Sequence, residues 1–385
     1  MRIVHISPNA TYNDYWGYQE NLLPKYQSNM GHEVILITTV KMHVNGAVVE
    51  GETGDYILSD GVRVIRRRYK KIVSKVLTNV ISFIPVIDIL NEFEPDLIFF
   101  HGLISCTIFD VIKYKKKHPH CVIVQDNHLD YNIGFKQITL KQKIMRSWYR
   151  LLNKKTSKYV EKIYGVTPWR SEYAKDYFQI PTDKLDLLIM GADDDCMHLQ
   201  NRNEIRNEIR TKYNVLQDDF LIVSGGKIDR KKKIDELIKA VINLPKVKLI
   251  IFGSISEEIC EEIKQLIEKS SNVIMIGWIE SKEVYNYFYA ADLVFFPGQH
   301  SVLWEQACAS KVPCVFEKWP GMEHVNNGGN SDFISPITIE SIQNKITELF
   351  FTEKYYTMKE VAESDRTDVY LYSEIAKKSL ECVKR

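Results

Sequence analysis

Glu305, a run of lysines near residue 230 and a few histidines at strand-like ends are the residues whose types and spacing suit chemistry. Glu305 stands in the first turn of a helical pattern. Before it come an apolar run at 290–296, a Pro297-Gly298 break and a short polar loop, Gln299-His300-Ser301. A carboxylate so placed can accept hydrogen bonds from a ribose while the helix N–H groups hold a pyrophosphate. The plainer alternative is that Glu305 only complements the helix dipole. Upstream, SGGKIDRKKKIDELIKAV runs through a Gly turn into a helix and offers Lys227, Arg230, Lys231, Lys232 and Lys233. Flexible cations beside such a turn suit a diphosphate; a solvated charge run is the alternative, and charge alone does not rank the five.

The first half carries its own polar strand ends, Phe100-His101-Gly102 and Gln125-Asp126-Asn127-His128-Leu129-Asp130. A histidine beside carboxylates can donate to a sugar hydroxyl or move a proton, and His128, with the more polar neighbours, is preferred over His101. Gly277-Trp278-Ile279 ends a strand where a planar base could rest, although Trp278 fits a core as well. Asp193-Asp194-Asp195 invites comparison with a metal-binding cluster, but it follows a strand and a Gly and reads as a linker or helix start.

The elements that must position these groups alternate along the chain. Strands are expected at 2–6, 32–39, 62–67, 96–102, 121–126 and 162–167, with helical segments between most of them. A helix over 18–30 follows Gly17 and ends at Gly31, with Pro24 expected to kink it or delay its start. The Gly17 turn is not GxGxxG, so a dinucleotide fingerprint is absent. Further strands at 219–226, 248–254, 273–279, 290–296 and 314–316 alternate with helices. The pattern predicts an α/β chain with two doubly wound parallel sheets.

Length and composition agree. At 385 residues the chain suits two domains, and 45% hydrophobic with 26% charged residues is ordinary for a soluble globular protein. Net charge is +1, yet residues 1–190 hold 26 Lys+Arg against 19 Asp+Glu, and 191–385 hold 25 against 31. Seven cysteines without CxxC spacing indicate neither zinc site nor disulfide framework, and fit a reduced, cytoplasmic protein. The start, MRIVHIS, lacks a signal-peptide layout, and the longest apolar run, VISFIPVIDIL, is too short to span a bilayer. Two basic stretches, 66–75 and 136–155, the second interleaved with apolar residues, fit an anionic membrane surface. Near-neutral charge and the lack of a recognition motif argue against nucleic acid.

Taken in order, these residues resemble the retaining GT-B glycosyltransferases of glycosyltransferase family 4, over nearly the whole chain. Gly17 with its helix and Gly31-His32-Glu33-Val34 match that family's first loop and strand, and Gly226-Lys227-Ile228 with Lys232 matches its Gly-Arg-Leu…Lys spacing. Gly277, Asp292-Leu293-Val294 and Glu305-Gln306-Ala307 follow, the last matching the second glutamate of the Glu-x7-Glu signature. The first signature glutamate is missing: Pro297 stands there, so Gln299, His300 or the backbone before Ser301 must substitute. Lys233 stands where a Gly usually follows the second basic residue.

The resemblance implies two Rossmann-like domains facing a cleft: an acceptor-side domain at 1–193, a nucleotide-sugar domain at 194–365, and a helix in 366–385 returning to the first. It implies transfer of a hexosyl or N-acetylhexosaminyl group from a nucleotide diphosphate, expected to be UDP-linked, to a glycan or lipid-linked oligosaccharide in bacterial surface polysaccharide synthesis. No cofactor beyond the nucleotide sugar, and no metal, is expected; the location is cytoplasmic or peripheral at the inner face of the plasma membrane. The implied catalytic residues are His128, Lys232 and Glu305. The implied donor-binding residues are Gly17, Lys227, Lys232, Gly277, Trp278, His300, Ser301, Val302 and Glu305. The rivals are a non-catalytic nucleotide-sugar or glycan-binding protein and a nucleotide-sugar epimerase.

Overall fold

The computed structural model describes every residue except 45, 72–77, 79–80, 132–139 and 384–385. Backbone contacts divide the chain into two units, Met1–Ile189 with Ile375–Arg385, and Met190–Glu374.

The first unit is built on an eight-stranded sheet. Its apolar runs become β1 (Arg2–Ser7), β2 (Glu33–Thr39), β6 (Arg63–Arg67), β7 (Leu97–Phe100), β8 (Val122–Asn127), β9 (Lys162–Gly165) and β10 (Leu185–Leu187), with β5 (Gly54–Ile57) at one edge. The order is β10-β9-β8-β7-β1-β2-β6-β5, and only β5 pairs antiparallel. A parallel sheet is covered on both faces, which is why its strands read as near-continuous apolar runs. Val4, Ile6, Ile35, Ile37, Ile98, Phe100, Ile123 and Ile163 fill one layer with the helices Ile87–Phe93 and Ile108–Lys117.

The hairpin of β3 (Lys41–Val44) and β4 (Ala47–Glu50) was not legible, because β4 is exposed throughout and carries no inside–outside alternation. Pro24 lies inside the helix Gln19–Asn29 without delaying its start, and Gly31 follows at φ +83°, the left-handed conformation open to glycine.

The second unit is a six-stranded, wholly parallel sheet of β11 (Phe220–Gly225), β12 (Val247–Phe252), β13 (Val273–Gly277), β14 (Leu293–Phe296), β15 (Cys314–Glu317) and β16 (Ser331–Ile334). Its order, β13-β12-β11-β14-β15-β16, is the Rossmann order. Phe220, Ile222, Leu249, Ile251, Leu293, Phe295 and Val315 form its core with Leu237, Ile238, Ile342 and Ile346 from flanking helices. The Asp193-Asp194-Asp195 run enters this unit as a short 3-10 helix, Asp194–Cys196. Asp194 Oδ1 there accepts from the Ser373 backbone N–H at 3.2 Å.

Among the described residues no helix is long and apolar enough to cross a membrane. Of the two basic stretches, residues 72–75 and 136–139 lie outside the described residues.

Candidate active site

Strand order reverses in the second unit between β11 and β14, so a ligand crevice is expected beyond their carboxyl ends. Three glycine-bearing loops meet there. Gly226 and Gly253 have φ of +108° and +119°, and a Cβ on Gly253 would stand 1.8 Å from the Gly226 oxygen. Gly253 N donates to Gly277 O at 2.7 Å, which ties the end of β13 to the same system. Gly298, after the proline break, is pressed on the basic loop: a Cβ there would lie 2.3 Å from the Lys231 oxygen. No larger residue fits either position without moving backbone.

This packing ranks the five cations that charge alone left equal. Arg230 turns to Glu262 at 3.0 Å, and Lys233 pairs with Glu317. Lys233 holds φ +51°, so the backbone keeps the left-handed turn that a glycine would enter more cheaply. Lys227 and Lys231 are exposed. Lys232 is half-buried and folds inward, its Nζ donating to the Gln299 carbonyl at 2.5 Å. Burial pushes its ammonium down to about 8, with Asp229 opposing part of that shift.

Beside it, Gln299-His300-Ser301 leads through Val302 into the helix Leu303–Ala309. Glu305 is fully buried on this helix. Its Oε1 accepts from His300 Nε2 and His324 Nε2, each at 2.8 Å. Burial alone would raise its pKa; the two imidazoles outweigh it and hold the carboxyl down at about 2. Its Oε2, by contrast, has no partner among the described residues, nor do Ser301 Oγ, Trp304 Nε1 and His324 Nδ1, all of them buried. Four such atoms in one neighbourhood are unusual, since buried polar groups are nearly always paired.

His300, Glu305 and His324 also place three ligand atoms within 4.8 Å of one another, a donor set suited to a divalent transition metal. As placed, both imidazole–carboxylate separations are hydrogen-bond distances. Zinc bonds of about 2.0–2.1 Å to all three would require the atoms to spread apart.

The first unit holds a second polar cluster at its own reversal point, between β1 and β7. Asp126 is fully buried on β8. Its Oδ2 lies 2.6 Å from His101 Nδ1 and 3.4 Å from His128 Nε2, and its Oδ1 accepts from Gly102 N at 2.7 Å. Burial would raise its pKa, yet His101 and His128 hold it well below the usual carboxylate range. The chain continues from His101 Nε2 to His5 Nδ1 at 3.0 Å, from His5 Nε2 to Gln27 Oε1 at 2.7 Å, and from Gln27 Nε2 to Ser379 Oγ at 2.9 Å. Burial, then the neighbouring His101, pushes His5 down to about 3. His128 has 34% of its side chain exposed, and the Asp126 charge raises its pKa against the opposing effect of burial.

Of the residues singled out in the sequence, Lys232, His300, Ser301, Val302 and Glu305 are thus brought together, with Gln299 between them. Gly277 joins through the Gly253 loop, and Trp278, 72% exposed, is not a core residue. Gly17 and His128 belong to the first unit; the space a Gly17 side chain would take is open. His324, His5 and Gln27 were missed. A histidine in the loop after β15 was the available signal for His324, the same class of position that drew attention to His101.

Residues 205–363 match the family described as glycosyl transferases group 1. The processive diacylglycerol alpha-glucosyltransferase of Acholeplasma laidlawii is 23% identical over 255 residues, covering 62% of this chain and 73% of that protein. The fold is shared with a glycosyltransferase from Rickettsia africae, with TM-score 0.71, 16% identity and coverage of 100% of this chain and 97% of that one. It is shared also with an Anabaena protein solved in complex with UDP-glucose, with TM-score 0.66, 14% identity and coverage of 100% and 99%. The match to glycosyl transferases group 1 falls within the second unit, and the chain is a glycosyltransferase with the two Rossmann-like domains of the GT-B fold.

Proposed function

We propose that the chain moves a sugar from a nucleoside diphosphate, UDP before others, to a hydroxyl of a glycan or lipid-linked acceptor with retention of anomeric configuration. One observation carries this reading: a half-buried lysine and a buried carboxylate with an unused oxygen share one loop system. Breaking the sugar–phosphate bond builds negative charge on the departing diphosphate, and a cation already in place stabilises that charge without reorganisation. Lys232 supplies it by exchanging the Gln299 carbonyl for a phosphate oxygen, with Lys227 on the same loop as a second cation. Glu305, kept anionic by His300 and His324, offers Oε2 to the ribose hydroxyls. Because Oε2 is buried, the 299–301 loop must shift to admit the ribose, and releasing Lys232 from Gln299 loosens that loop.

The UDP donor is supported by the UDP-glucose complex of the Anabaena fold relative, and the lipid-type acceptor by the name of the Acholeplasma relative. Retention rests on the family resemblance, as does a place in surface polysaccharide synthesis. His128 is assigned to the donor sugar on the same ground.

The test is direct. Purified protein is screened for thermal stabilisation by nucleotide sugars, and the stabilising donor is then offered to lipid-linked acceptors, with product followed by mass spectrometry and anomeric configuration by NMR. Donor binding without transfer to any acceptor would leave a nucleotide-sugar-binding protein. Interconversion of the donor without acceptor would make it an epimerase.

A further inference from the structure

We propose that the helix Leu140–Thr156 seats the protein on an anionic lipid bilayer through an exposed apolar stripe flanked by cations. This goes beyond the transfer reaction and does not depend on it.

The helix divides its apolar residues between two faces. Tyr149 and Leu152, with Asn153 and Thr156, point into the first unit and are at most 5% exposed. Leu140, Ile144, Trp148 and Leu151 point out, with 75%, 64%, 45% and 48% of their surface exposed. Spaced by four, four and three residues, these side chains fall on one stripe of the helix. Leaving four large apolar residues of one helix in water is costly unless something covers them.

Charge decides the occupant. The helix has no Asp or Glu among its 17 residues. Lys143, Arg150 and Lys154 run along one side of the stripe and Lys155 closes it; all four are exposed, and none forms an ion pair among the described residues. An apolar stripe bordered by lysine and arginine, with a tryptophan in it, matches the boundary between acyl chains and anionic headgroups. A second copy of the same face would instead oppose cation to cation.

The other basic stretch differs. Arg66 is buried against Asp14 at 3.0 Å, Arg67 meets Asp88 at 2.7 Å, and Arg68 lies 3.5 Å from Glu50. Arg66 and Arg67 are thus engaged within the fold, and although Arg68, Lys70 and Lys71 are exposed, the described residues of this stretch carry no exposed apolar stripe beside them; the lipid contact is assigned to residues 140–156.

The full chain is tested by co-sedimentation with phosphatidylcholine vesicles, with and without phosphatidylglycerol. The wild type is expected to bind only the anionic vesicles and to be released by salt. The variant Ile144→Ser/Trp148→Ser/Leu151→Ser should lose binding by about tenfold or more, since its apolar area drives insertion. Lys143→Gln/Arg150→Gln/Lys154→Gln/Lys155→Gln should lose about a hundredfold or more, at roughly fivefold per charge. Both keep a cooperative melting transition and the stabilisation by nucleotide sugar, because no altered side chain belongs to the donor site. Equal partitioning of wild type and both variants overturns the proposal. So does a wild-type dimer in light scattering that the serine variant abolishes, since the face would then be covered by a second copy.

Discussion

Each unit buries one carboxylate at the reversal point of its sheet and sets two histidines on it, yet the two clusters differ in what they leave over. Asp126 in the first unit uses both oxygens: Oδ2 faces His101 and His128, while Oδ1 takes the Gly102 backbone N–H. Glu305 in the second unit gathers both histidines on Oε1 and leaves Oε2 with no partner among the described residues. A lysine whose pKa is pushed down to about 8 holds the loop beside it. A filled carboxylate organises its own surroundings; a half-filled one beside a cation is prepared for a ligand. Similar residue composition therefore does not mean similar function.

The largest effect should come from the cation. Lys232→Ala is expected to lower kcat/KM for the donor by about a hundredfold to a thousandfold, the usual loss when one stabilising group for developing charge is removed. Turnover assays on protein whose melting temperature is unchanged would check it, and near-normal turnover would sink the assignment.

The carboxamide pair tests the comparison itself. In Glu305→Gln the remaining oxygen still accepts from both histidines and the new NH2 replaces the unused oxygen, so the fold should hold while donor KM rises about tenfold. Asp126→Asn has no such escape, because one of its two engaged oxygens becomes a donor. Both variants lose a buried charge, but only Asp126→Asn also sets a new donor against an engaged partner, so it should melt well below Glu305→Gln. Thermal melts and donor titrations on both would break the contrast if the two variants behave alike.

A pH series sharpens it further. With Lys232 near 8, its cationic form is complete well below that value and disappears above it. Donor kcat/KM should fall as pH rises through about 8, and Lys232→Arg should remove that limb. Stability moves the other way. A lysine whose folded pKa lies below its unfolded 10.5 favours folding more as pH climbs between the two values. A rate limb that followed a loss of stability would contradict the assignment.

The smallest effect is expected at Trp278. If the exposed ring supports the nucleotide base, Trp278→Ala should raise donor KM by about twofold to tenfold, with no change in kcat or melting temperature.

Much of this was legible beforehand for simple reasons. Buried parallel strands such as β11 and β14 must be apolar without interruption, so they show in the chain. The Gly turns show because Gly226 and Gly253 require positive φ and close approach. The β3–β4 hairpin did not show, since strands that bury little need no apolar pattern. His324 did not show either: its role depends on meeting Glu305 from 19 residues away, and no local spacing encodes that meeting.

The amino-acid sequence by itself determined the two alternating α/β halves, the order of the glycine and basic loops, and Glu305 at the head of its helix, because periodicity, turn chemistry and helix starts are local properties. Only the tertiary structure decided which of five neighbouring cations faces the Gln299 loop, which oxygen of Glu305 stays unpartnered, and which apolar residues of 140–156 meet water. Those outcomes depend on side chains brought together from distant positions, where burial and hydrogen bonding are set by the packing of whole elements.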